Sequence, residues 1–87
     1  MEVIIERQDE EHKFKRCSLA DVEQLLSNFT CEYGYDCTFN LETKYNIAFL
    51  TIEHFFGEDV SRFLIKGDKS AVVTTFMELL AKINNSR

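Results

Sequence analysis

The sequence predicts one two-layer α+β domain: an antiparallel sheet of about five strands with two helices on one face, in the order ββαβββα. Three observations predict it. Apolar residues recur at helical spacing in two stretches, 19–29 and 72–83. Before and between those stretches, apolar and polar residues alternate with the period of a strand. With three Gly and no Pro in 87 residues, the elements have to be joined by short turns.

The N-terminal "EVIIERQ" places Val3 and Ile5 at alternate positions, and "HKFKRC" alternates His12, Phe14 and Arg16 with Lys13, Lys15 and Cys17. The charged "DEE" between them makes a hairpin tip. Ser18 and Asp21 have the spacing of a capping box, in which a hydroxyl and an acid three residues apart satisfy each other's backbone N–H. Leu19, Val22, Leu25, Leu26 and Phe29 then form the stripe of a three-turn helix.

From Tyr35 the period returns to two, with Cys37, Phe39 and Leu41 on the same face as Tyr35. "ETKYN" turns the chain into the longest apolar run, "IAFLTIEHFF". After the turn "GED", the stretch "SRFLIKG" points Phe63 and Ile65 inward, completing a three-stranded meander. Asp68 is the expected N-cap of a last helix with the stripe Val72, Val73, Phe76, Leu79, Leu80 and Ile83. Two helical stripes and one alternating sheet face bury each other, hence two layers.

Eighty-seven residues suffice for one domain near the lower size limit of an unstapled core. No run approaches the length of a membrane span, and the charged start "MEVIIERQDEE" does not read as a signal peptide. Three cysteines do not close a disulfide framework, so reduced thiols in a cytoplasmic protein are expected. A pI near 4.9 argues against direct nucleic-acid binding, which needs clustered Lys and Arg.

The residues that carry chemistry are sparse. His12 and His54 have no Gly-x-Ser-x-Gly turn or other nucleophile motif beside them, so no catalytic residue is expected. Cys31 and Cys37 are too widely spaced for a zinc pair and no second pair exists, so neither metal nor cofactor is expected. Cys37 shares a face with Phe39 and Leu41 and is expected in the core, so the pair could form a loop disulfide only by meeting outside that strand geometry; Gly34 is the corner residue between helix and strand. Lys66, Lys69 and Ser70 stand at a helix entry, but Asp68 occupies the place an anion would take.

Residues 18–85 run helix, three strands, helix, an order loosely similar to a double-stranded RNA-binding domain. The Lys cluster and loop His with which that family grips phosphates are not matched, and no family is assigned.

Two features point to interaction. Residues 21–59 hold eight acids against one base, Lys44, and the outward strand phase exposes several of them. Glu32, Asp36, Glu42, Glu53, Glu58 and Asp59 are the expected contacts for a partner protein with a basic surface. The second feature is apolar: Ile47, Phe49 and Leu64, and also Phe55, fall on the sheet face away from the helices, with Tyr33 at the helix-to-strand corner. Such a cluster marks a partner or self-association surface.

The expected function is therefore a non-enzymatic interaction module. It has the build of an inhibitor or regulatory protein, including a phage or mobile-element inhibitor whose carboxylates imitate nucleic acid. The alternatives are a structural homo-oligomer such as a homodimer, and a thiol-based redox or enzymatic protein using Cys31 or Cys37.

Overall fold

Strand alternation sorts this chain's side chains into one sheet with two unlike faces. The computed structural model describes residues 3–28 and 37–85. Its elements are β1 (Val3–Gln8), β2 (Phe14–Arg16), α1 (Leu19–Asn28), β3 (Cys37–Lys44), β4 (Ile47–Phe56), β5 (Asp59–Asp68) and α2 (Lys69–Asn85). The strands lie in the order β2-β1-β5-β4-β3, and every neighbouring pair is antiparallel. This is the expected ββαβββα architecture. The expected features at Phe29, Gly34 and Tyr35 fall outside the described residues.

β2 is shorter than its alternating pattern suggests, because the hairpin tip takes up residues 9–13. Asp9 organises that tip: its Oδ1 accepts the N–H groups of Glu11 and Lys13, each at 2.9 Å. His12 closes the loop at φ 65°. These charge-assisted bonds hold the Asp9 carboxyl below its ordinary range, the Lys13 backbone bond being the largest cause.

α1 starts as its sequence specifies. The Ser18 N–H donates to Asp21 Oδ2 at 3.0 Å, and the Asp21 N–H donates to Ser18 Oγ at 3.2 Å. This reciprocal pair satisfies two otherwise orphaned donors and lowers the Asp21 carboxyl pKa, its backbone bond with Ser18 acting most strongly. α2 begins directly after β5, and the first helical N–H, that of Lys69, reaches back to the Asn46 carbonyl at 2.8 Å. That bond ties the helix start to the β3–β4 turn.

Between sheet and helices lies the core. Ala48, Leu50 and Ile52 of β4, Phe63 and Ile65 of β5, Val22 of α1 and Val72 of α2 are fully covered. Leu26, Leu79 and Cys37, at 1% exposure, and Ile5 of β1 complete it. Fully burying such a side chain contributes about 1.5–3 kcal/mol, before the loss of chain entropy is counted. Phe39 of β3 meets Phe76 of α2 in a tilted ring pair 5.4 Å apart. Lys82 of α2 pairs with Glu23 of α1 at 2.9 Å, joining the two helices at their exposed margin.

Candidate functional site

The opposite face of the same sheet is built from the intervening residues. From the strand register, its rows can be followed across the sheet. One row runs Phe14, Gln8, Arg62, Glu53, Thr38; the next runs Arg16, Glu6, Leu64, Thr51, Asn40. A third runs Ile4, Lys66, Phe49, Glu42, with Ile47 and Lys44 beyond it. At the other end, Val60 and Phe55 face each other. Both helices pack on the inner face, where the core residues lie.

The apolar members of this face remain partly in water. Ile47 is 39% exposed, Phe49 and Phe55 are each 37%, and Val60 is 48%. Leu64 and Ile4, nearer the centre, are half-buried. The sequence places Ile47, Phe49, Leu64 and Phe55 together, and the structure brings them to one face. Ile4, Val60 and Phe14 join them. The alternation of Val3 and Ile5 already implies an outward Ile4, because consecutive strand residues point to opposite faces, but the sequence reading drew no outer-face residue from β1.

Charge on this face is matched internally. Arg62 donates from Nε (3.0 Å) and Nη2 (2.6 Å) to Glu53 Oε2, and from Nη1 to Gln8 Oε1 at 2.8 Å. Lys66 pairs with Glu6 at 3.2 Å. Asn40 donates to Glu42 at 3.3 Å. The strand phase assigns four cations, Arg16, Lys44, Arg62 and Lys66, and four anions, Glu6, Glu42, Glu53 and Asp68, to this face. It is neutral, on a chain of net charge −5.

The expected acidic contacts therefore separate. Glu42 and Glu53 lie on the outer face among cations. Glu58 and Asp59 are exposed at the β4–β5 turn, and the antiparallel register of β1 and β5 puts that turn at the same end as the β1–β2 tip. Asp9, Glu10 and Glu11 stand there as well, with Lys13 and Lys15 partly offsetting them through ion pairs at 3.7 Å to Glu11 and 3.3 Å to Asp9. Glu32, Asp36 and Tyr33 lie outside the described residues.

The cysteines differ from one another. Cys37 is buried opposite His54, as its phase predicts, and it is disulfide-bonded, which corrects the expectation of reduced thiols. Spacing alone carries no oxidation state, because a disulfide needs matched backbone geometry as well as nearby cysteines. Cys17 is a free thiol, half-buried against the core, and burial raises its pKa, with Asp21 adding to the effect. A thiol raised in this way holds little thiolate at neutral pH. Cys31 lies outside the described residues.

Beside Cys17, a groove of about 610 Å3 is lined by Arg7, Lys15, Asp21 and Ser61 among others. It mixes both signs of charge, and Arg7 is engaged with Ser61 Oγ at 3.5 Å and the Phe63 ring at 5.5 Å. Among the described residues, no group of three or more His, Cys, Asp or Glu stands close enough to hold a metal ion. No helix among them is long and apolar enough to cross a membrane.

One exposed aromatic escaped the sequence reading. Tyr45 is 90% exposed and has φ 58° in the two-residue β3–β4 turn. The equivalent β4–β5 turn uses Gly57 at φ 62°. An aromatic where a turn favours Gly or Asn is the signal that was there to be used. Comparison with known protein families, curated proteins and solved structures finds no match.

Proposed function

We propose that this chain is a non-enzymatic protein-interaction module that works by occupying a protein surface with its outer sheet face. It has the build of a small inhibitor or regulatory protein. The observation that carries this reading is an apolar, internally charge-matched sheet face with both helices on the other side. Solvated antiparallel faces normally present polar residues, so Ile47, Phe49, Phe55 and Val60 there need a reason other than folding. Because Arg62 and Lys66 already hold their counter-ions, covering the part of the face around these two pairs desolvates no lone charge there, the condition that makes burial of ions tolerable.

The nucleic-acid-mimicking form of the proposal draws on a different place. Uncompensated carboxylates do not dominate the outer face, so attraction for a basic partner is assigned to the hairpin end with Asp9, Glu10, Glu11, Glu58 and Asp59. Capture that is insensitive to salt between about 50 and 300 mM excludes this electrostatic form.

Affinity capture from host lysate with three baits tests the reading. Wild type and Met77→Glu, altered on exposed α2, are expected to retain the same proteins, the untagged chain itself included. Phe49→Glu is expected to lose them. Identical capture by all three baits overturns the assignment of the outer face.

A further inference from the structure

We infer that the occupant of the outer face is a second copy of this chain, forming a face-to-face dimer of two sheets; this rests on the reading of that face as a docking surface. Three features of the face select a copy of itself over another partner.

The first is its net charge. Two chains of −5 repel, and a basic partner is drawn to the acidic hairpin end. The outer face alone carries four cations against four anions, so contact through it adds no net repulsion to that between the whole chains, whose excess acids lie at the hairpin end.

The second is self-complementarity. A two-fold dimer uses the same patch twice, with residue i of each copy meeting residue j of the other. A two-fold axis along the strands, between β4 and β5, carries each β5 over the β4 of the second copy. Because Arg62 pairs with Glu53 and Val60 with Phe55 in register, the rotation sets Arg62 of each copy over Glu53 of the other. It likewise sets Val60 of each over Phe55 of the other, and Leu64 over Thr51. Arg62 thus meets its opposite charge and Val60 an aromatic ring, while the same rotation sets the Lys66 side chain over the Phe49 ring and Asp68 over Ile47 at the rim. Two such sheets pack about 10 Å apart with strands turned by about 30°.

The third is size. Strands of three to ten residues, at about 3.3 Å per residue and about 4.8 Å between strands, make a face of roughly 600 Å2 in projection. The corrugated accessible surface is larger, and a specific interface covers about 800 Å2 per partner. The molecule is plate-like, 36 by 32 by 21 Å, so this face is among its largest flat surfaces.

The test exploits the reciprocal contacts. Light scattering coupled to size exclusion is expected to give twice 10.2 kDa for wild type. Arg62→Glu alone and Glu53→Arg alone each bring like charges together across the axis. Each is expected to weaken dimerisation at least about tenfold, the effect of 1.4 kcal/mol. An equimolar mixture of the two variants restores opposite charges and is expected to return to the dimer mass. Unchanged far-ultraviolet circular dichroism checks that each variant is folded.

A wild-type monomer at concentrations up to about 1 mM, the weak end of specific association, overturns the inference. So does a dimer that both single variants leave intact, or one that Thr43→Pro on the open edge of β3 abolishes while they do not. If the wild type is monomeric and Phe49→Glu still empties the captured set, the second copy falls and the interaction reading stands. If neither mass nor capture responds, both fall.

Discussion

The two faces of this sheet are made by the same strands and both carry large apolar side chains, yet the fates of those side chains differ. Leu50, Ile52, Phe63 and Ile65 are fully covered, whereas Ile47, Phe49 and Phe55 retain more than a third of their surface in water. Glu53–Arg62 and Glu6–Lys66 are interleaved only on the outer side. Apolar character thus identifies a face that wants cover, and the position of the helices decides which face gets it within one chain. Pairs such as Glu53–Arg62 and Glu6–Lys66 beside uncovered aromatics are compatible with burial.

Truncating one aromatic on each face should break the comparison most sharply. Phe63→Ala removes a fully covered ring and is expected to cost about 3–5 kcal/mol. Phe49→Ala, measured in dilute solution where self-association is absent, is expected to cost less than about 1 kcal/mol. Urea denaturation of both variants measures the gap. Equal costs would mean that the two faces are equivalent in the isolated chain.

A smaller effect concerns the cover itself. Ser18→Ala removes one half of the reciprocal cap of α1, and a loss of about 1 kcal/mol is expected by thermal unfolding. If α1 contributed nothing to covering the inner face, the melting temperature would not move.

The turns give an opposite sign. Gly57 and Tyr45 hold nearly the same positive φ at equivalent places in two hairpins. Only glycine adopts that conformation without steric cost. Tyr45→Gly is therefore expected to stabilise the isolated protein by roughly 0.5–1 kcal/mol. A loss of stability would show that the Tyr45 side chain is held by contacts despite its exposure.

Smallest is the pH response of the carboxylates Asp9 and Asp21. Both have folded pKa values below the ordinary 3.8. Their contribution is complete above that unfolded value and fades as pH falls through the lower folded one. Melting temperatures recorded from pH 5 down to 2 should fall less steeply for Asp21→Ala than for wild type. Parallel curves would remove Asp21 from the linkage.

Local rules made most of the fold legible. Ser18 and Asp21 state their own cap, because a capping box spans four residues. The phases of β4 and β5 assign Leu50, Ile52, Phe63 and Ile65 inward, because a strand reverses face at every residue. Those same phases place Ile47, Phe49, Leu64 and Phe55 together on the outer face before any coordinates are known.

Charge was the part that needed three dimensions. Along the chain, residues 21–59 look strongly acidic, and Arg62, Lys66 and Arg16 belong to other segments. Antiparallel pairing brings Arg62 beside Glu53 and Lys66 beside Glu6, and it leaves the uncompensated acids at the hairpin end. Linear charge sums ignore such pairings, since Coulomb energy depends on distance in space and not on separation in sequence. Helix caps, strand phases and the α+β class follow from contacts within a few residues, so they could be read from the chain alone. The pairing of Arg62 with Glu53 and of Lys66 with Glu6, the oxidised state of Cys37 and the positive φ of Tyr45 depend on how distant or neighbouring backbone is finally placed, and only the folded structure decides them.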